Sequence, residues 1–283
     1  MRFSKKPSLL LAQTPSKVLI GFKPDWPAPF FVRALMTTRR GGVSQAPWDE
    51  LNLGLFAGDD STCVQKNRAL LEREMGVPAA YLRQVHGSEG VAIDLNTSPA
   101  TQADVAWTTQ SGIACAMMAA DCLPILVCHP TEKWVAAAHA GWRGLAGKAG
   151  HGVVETLAHA AKAQGLKTED CLVWLGPCIG PTAFEVGSDV VDAFEPNRSA
   201  DSVSDQPEAL SCFQSKGSGK FLADLAGLAR SRLQSLGFGA VYGNDSSSPW
   251  CTFTQKSDYH SHRRDAVTLG GAGRMAAYIW ITA

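Results

Sequence analysis

The chain has no excess of either charge: across 283 residues, 26 Lys and Arg stand against 26 Asp and Glu. No basic stripe breaks that balance, so the electrostatic footprint of a nucleic-acid binder is missing. This speaks against a duplex or RNA partner and leaves a single nucleoside open. No apolar stretch reaches the ~18 residues of a membrane span, so no membrane partner is expected. There is no internal repeat and no long linker, and one α+β domain over residues 1–283 is the economical reading. No CxxC pair occurs, which excludes the spacing of a structural zinc finger. The zinc-deaminase signature is also absent: His86 is not followed by x-Glu, and Pro177-Cys178 lacks a second Cys.

Two weaker features lead to expectations about the cell compartment. Residues 1–12 begin like a secretion signal, but the apolar piece Leu9-Leu10-Leu11-Ala12 is shorter than the about 7–15 residues of a signal core. Residues 1–16 are therefore expected to be a frayed tail before the first strand. The eight cysteines form an even set, but the chain is large and Cys115, Cys122, Cys128 and Cys171 sit in apolar surroundings. Free cysteine behaves there as a small hydrophobe, so a reduced, cytoplasmic protein is expected.

What is present is a dense centre of short apolar runs. Residues 113–119, 124–128 and 134–139 are bounded by turn residues and read as buried strands. Residues 91–94, 171–175 and 276–281 read likewise. Residues 60–75 predict a helix capped by residues 59–61, residues 144–165 a second helix, and residues 221–236 an amphipathic third. The polar stretch 196–219 is expected to be a mobile surface segment that could act as a lid.

Three polar clusters interrupt the apolar runs: Gln84-Val85-His86-Gly87, Asp121-Cys122-Leu123-Pro124 and His139-Ala140-Gly141-Trp142-Arg143-Gly144. Taken singly, His86 before a glycine is more often a packing residue, and Cys122 more often an inert thiol. Together, His86, Cys122 and His139 each stand at a strand-to-turn junction, as three loops converging over a sheet edge would place them. One Cys and two His leave a tetrahedral position open, which is the pattern of a catalytic metal. Asp121, next to Cys122 in apolar surroundings, needs a partner and could hold a ligand His or a bound water. Gln84 could orient a substrate amide. Arg39, Arg143, Arg263 and Arg264 stand near glycine turns or Ser261 and are suited to bind phosphate or carboxylate.

These clusters, in this order, resemble the YfiH family, also described as multicopper polyphenol oxidases or laccase-domain proteins. The resemblance rests on Thr38-Arg39-Arg40-Gly41-Gly42-Val43-Ser44, Leu51-Asn52-Leu53-Gly54, the three clusters above, Gly176-Pro177-Cys178-Ile179-Gly180-Pro181, Phe184-Glu185-Val186 and Gly273-Arg274-Met275. It implies two mixed β-sheets packed as a sandwich with helices on the outside, in α/β/β/α layers. It implies zinc on His86, Cys122 and His139, with copper the older claim. It also implies phosphorolysis of adenosine, inosine and S-methyl-5'-thioadenosine, with adenosine deamination as a side activity. Near the C-terminus the chain departs from the family's aromatic pattern, reading Tyr259-His260-Ser261-His262-Arg263-Arg264-Asp265 with a longer 266–272 connection.

The leading expectation is thus a zinc-dependent purine nucleoside phosphorylase, a monomer or homodimer. In it Cys122 is a ligand, Arg39 and Arg143 hold phosphate or transition-state charge, and Asp121 fixes the site or relays a proton. The alternative is a cysteine-type hydrolase, with cell-wall precursor editing among its roles, using Cys122 as nucleophile and His139 as base. Copper phenol oxidation ranks third, because only seven histidines exist to supply a multicopper set.

Overall fold

A computed structural model describes residues 20–195 and 207–282. Its centre is a six-stranded mixed sheet whose spatial order runs Ala240–Gly243, Leu172–Leu175, Leu123–Cys128, Val135–Ala140, Val105–Thr108, Gly90–Ala92. A five-stranded mixed sheet lies against it, in the order Gly21–Phe22, Val32–Thr37, Met275–Ile281, Ala114–Ala119, Ala79–Tyr81. The N- and C-terminal halves of the chain are therefore interleaved in one sheet.

Period-two alternation assigns each side chain to a layer. In Leu123–Cys128, Leu123, Ile125 and Val127 face the helices while Leu126 and Cys128 face the other sheet. In Met275–Ile281, Met275, Ala277, Ile279 and Ile281 point to the inter-sheet core, and Ala276, Tyr278 and Trp280 to the outer face. Trp174 of the six-stranded sheet meets Phe22 of the five-stranded sheet edge-on at 6.3 Å and Trp250 at 6.0 Å. Such aromatic contacts add about 0.5–1.5 kcal/mol each beyond the area they bury. Helices Val153–Ala163 and Leu225–Ser235 cover the outer face of the larger sheet, and residues of Ser61–Met75 cover that of the smaller. The expected α/β/β/α layering is the architecture found.

Three expectations need correction. The helix expected over residues 144–165 is two helices, Trp142–Ala146 and Val153–Ala163. Between them Gly147 and Gly150 take φ of 71° and 77°, and a Cβ on Gly147 would fall 2.3 Å from the carbonyl of His151. The helix expected over 221–236 begins only at Leu225, because Asp224 caps it by accepting from Gly227 N–H at 2.9 Å. The residues before that cap, Lys220–Ala223, form the middle strand of a third sheet, antiparallel, between Glu185–Gly187 and Phe213–Gly217. Residues 207–219, expected to be irregular, hold a short helix, Pro207–Leu210, and one strand of that sheet. The remainder of the expected lid, 196–206, and the expected tail, 1–16, lie outside the described residues.

Candidate metal centre

The site forms where three chain segments meet at one end of the six-stranded sheet. Leu123–Cys128 and Val135–Ala140 pair antiparallel, with Leu123 opposite Ala140 and Pro124 opposite His139. This register sets Cys122, just before one strand, beside His139 near the end of the other. The third segment, 83–87, lies along residues 102–104 and brings in His86. The donor atoms of His86, Cys122 and His139 all lie within 4.8 Å of one another, and the two imidazoles stand edge-on with centroids 4.8 Å apart. Close approach depends on Gly141: a Cβ there would lie 3.1 Å from Cys122 Sγ and 3.2 Å from His86 Cδ2.

The electrostatics favour a thiolate. Burial pushes the Cys122 thiol up, but the charge and hydrogen bonds of His139 and His86 outweigh it and bring it down to about 6. Burial would lower His139, yet the Cys122 thiolate and the Asp104 carboxylate hold it up at about 9. The metal-free pair is therefore thiolate and imidazolium, titrating as a unit. A thiolate and two imidazoles suit a borderline-soft divalent ion. His139 Nδ1 is 2.8 Å from Asp104 Oδ1, which leaves Nε2 to face Cys122. Residues 86, 122 and 139 thus fit one metal ion with an open position.

The cluster lies on the wall of a cavity of about 450 Å³. Leu55, Phe56, Ile179 and Phe184 give it an apolar side, and His262, Arg263 and Arg274 a polar one. His262 lies below the ordinary imidazole value through burial and the neighbouring Arg274.

The structure sorts the residues expected from the sequence. Cys122, His139, Asp121, Gln84 and Arg263 all line the cavity. Gln84 spends its amide on the chain itself: Nε2 donates to Met118 O and Oε1 accepts from Met118 N–H, both at 2.8 Å. Asp121, at φ +83°, accepts from Thr252 Oγ1 and from Arg263 N–H, each at 2.6 Å. It anchors the N-terminus of helix His262–Leu269 to the cavity and does not hold a ligand histidine. That contact is made by Asp104, which the sequence reading missed. The argument applied to Asp121, a charge in an apolar run that needs a partner, applies equally to Ala103-Asp104-Val105 and would have found it.

Arg39, Arg143 and Arg264 stand elsewhere. Arg39 donates to Asp49 O and Lys256 O, pairs with Asp49 at 3.3 Å, and opens on a separate surface pocket. The Arg143 guanidinium lies 4.2 Å over the Trp142 ring. Arg264 binds Asp265 at 2.7 Å and three backbone carbonyls, which pins residues 252–259 to the helix. The second cavity cation is Arg274, in the Gly273-Arg274-Met275 motif but not among the expected site residues.

The sequence pattern described as Multi-copper polyphenol oxidoreductase laccase matches residues 33–282. The chain is 44% identical over 259 residues to the purine nucleoside phosphorylase PA4543 of Pseudomonas aeruginosa, covering 91% of this chain and 97% of that one. It is 39% identical over 268 residues to the purine nucleoside phosphorylase YfiH of Escherichia coli, covering 94% and 99%. Among solved structures, the Neisseria meningitidis protein NMB0706, of family DUF152, superposes with a TM-score of 0.80 at 41% identity, over 93% of this chain and 100% of that one. YlmD from Geobacillus stearothermophilus gives a TM-score of 0.80 at 29% identity, over 93% and 96%.

Proposed function

Because the chain belongs to the family described as Multi-copper polyphenol oxidoreductase laccase, whose near full-length relatives include named purine nucleoside phosphorylases, we propose that it is a zinc-dependent purine nucleoside phosphorylase. Its substrates are adenosine, inosine and S-methyl-5'-thioadenosine, with adenosine deamination as a side activity. The observation that carries this reading is the His86, Cys122 and His139 cluster on the wall of a cavity that Arg263, Arg274, Phe56 and Phe184 also line.

Zinc on these three donors supplies Lewis acidity and positive charge for a phosphate or water oxygen. The chain's own residues do the rest. Arg263 and Arg274 hold phosphate and the charge that develops as it attacks the anomeric carbon and the bond to the purine breaks. Phe56 and Phe184 receive the planar base. His262, on the cavity lining, exchanges the proton of the leaving purine. Cys122 serves as ligand, and Asp121 fixes the helix that carries His262 and Arg263. The same cavity admits water at the purine six-position, which releases ammonia. Arg39, Arg143 and Arg264, engaged elsewhere, act in none of these steps.

The test is release of adenine or hypoxanthine from nucleoside and phosphate by zinc-loaded protein. Arg274→Ala is expected to raise the KM for phosphate, and Cys122→Ala to abolish both turnover and zinc uptake. Absence of turnover in zinc-replete protein overturns the reading.

Copper at the same donors would need further ligands for multicopper chemistry. All seven histidines are among the described residues, and the three-donor group is the one such cluster found there. Elemental analysis of wild type and His86→Ala decides the metal.

One observation favours a second reading, the cysteine hydrolase. Cys122, His139 and Asp104 form a chain of nucleophile, base and orienting carboxylate, with the thiol already near 6. A thiol-directed probe separates the two. A zinc-bound Cys122 resists labelling until a chelator is added, whereas a free catalytic thiolate labels at once.

A further inference from the structure

Asp104 is fully buried at the residue that leads into strand Val105–Thr108. Its carboxylate has two partners on each oxygen. Oδ1 lies 2.8 Å from His139 Nδ1 and accepts from His86 N–H at 3.1 Å. Oδ2 accepts from Val85 N–H at 3.0 Å and from Gly87 N–H at 2.8 Å. The Asp104 carbonyl also accepts from His139 N–H at 2.8 Å.

Three consecutive amides turned inward on one carboxylate form an anion-binding concavity. His86, in the middle of it, has φ +60°, a conformation uncommon for a residue with a side chain. No regular element holds residues 82–89 in that shape. Arg83 is bridged to Gln102 and Gln84 is bonded to Met118, and between them and strand Gly90–Ala92 the carboxylate holds residues 85–87 and so aims the His86 ring. The same group takes the Nδ1 side of His139, so that Nε2 faces Cys122 and is the nitrogen that would give up its proton to a metal.

We infer that Asp104 is the positioning residue of the metal centre, presetting His139 through its ring and His86 through its backbone. This rests on the metal-site reading above and adds to it the group on which ligand geometry depends. The chemistry makes a sharp distinction at this position. An asparagine has one oxygen and one amide nitrogen, and both carboxylate oxygens are now acceptors. If the nitrogen replaces Oδ2, it meets two donors, Val85 and Gly87 N–H, and the turn carrying His86 opens. If it replaces Oδ1, His86 N–H loses its acceptor and His139 must move its proton to Nε2, the atom the metal needs. Either orientation costs one ligand.

Zinc affinity is therefore measured by chelator competition for wild type, Asp104→Asn, His86→Ala, His139→Ala and the two double variants. Asp104→Asn is expected to weaken zinc roughly 10–100-fold. In one of the two double variants its effect should largely vanish, because that ligand is already lost. A folded Asp104→Asn protein with wild-type zinc affinity, or one additive with both histidine variants, overturns the inference. A second measurement needs no variant: nitrogen NMR of the zinc-loaded wild type should show His139 protonated at Nδ1 and that proton protected from exchange. Zinc on Nδ1 with a free Nε2–H overturns the inference as well. Failure of the metal reading looks different, since there the wild type itself takes up no zinc.

Discussion

Gly141 has an ordinary backbone, φ −70° and ψ 162°, which alanine adopts without strain. Its smallness matters because the missing Cβ would press on Cys122 Sγ at 3.1 Å and His86 Cδ2 at 3.2 Å. Gly141→Ala is therefore expected to leave the fold intact and weaken metal binding roughly tenfold, as outer-shell changes at metal sites do; a metal titration beside a melting curve checks both halves. His260 is the opposite case, a polar group without a role. It is fully buried, and neither ring nitrogen has a hydrogen-bond partner. Burial, with Arg39, Arg274 and Arg264 near it, holds it well below the ordinary 6.5. Below that ordinary value the unfolded chain binds a proton that the folded chain refuses, so its contribution to stability is intact above 6.5 and is lost as pH falls. His260→Phe should raise stability by roughly 1–3 kcal/mol, the cost of an unsatisfied buried polar group. It should also flatten the loss of stability on acidification, as urea melts between neutral and acidic pH will show. The three clustered donors, His86, Cys122 and His139, were legible because each breaks an apolar run at a turn. Asp104 was open to the same buried-charge argument as Asp121, but its partners, the His139 ring and the amides of residues 85–87, meet it only in the folded chain.

Elements carry the residues to the site, and each does so through a definable end. Helix Ser61–Met75 starts where Asp60 accepts from Thr62 N–H at 2.7 Å and stops at Gly76, φ 73°. Both signals are local, which is why that helix could be read from sequence to within a residue. Asp60→Ala is expected to cost about 0.5–2 kcal/mol in a denaturant melt, the usual cost of losing an N-cap. Helix Leu225–Ser235 was harder. Its hydrophobic spacing runs back through Lys220–Ala223, where pairing with Glu185–Gly187 and Phe213–Gly217 overrides it. The break between Trp142–Ala146 and Val153–Ala163 is made by Gly147 and Gly150, whose φ of 71° and 77° end the first helix. Gly144 must pass close to the Gly87 carbonyl, where a Cβ would stand at 2.7 Å, so the short first helix is pressed against the turn that carries His86. Gly144→Ala should push that turn outward and lower metal affinity with little change in helix content by circular dichroism.

At the scale of the molecule, a metal on His86, Cys122 and His139 would join segments that are far apart in sequence, and its free energy of binding would add to that of folding. Removing it from the loaded protein is expected to lower stability by about 2.7 kcal/mol when the free metal had stood at 100 times its dissociation constant. The same removal should expose Cys122 to thiol reagents; a melting curve and labelling before and after chelation measure the two together. The sequence by itself determined the strands, the alternation that assigns their faces, the family, and the three donors that the fold brings together at residues 86, 122 and 139. These depend on residue type and near spacing, which one chain displays directly. Tertiary structure alone decided which charged groups reach the cavity. Arg39, Arg143, Arg263, Arg264 and Arg274 are alike as sequence, five arginines near glycines or a helix cap. Only Arg263 and Arg274 among them line it, because Asp49, Asp265 and the Trp142 ring hold the other three elsewhere. A guanidinium goes where its partners are, and those partners are fixed by the packing of distant segments.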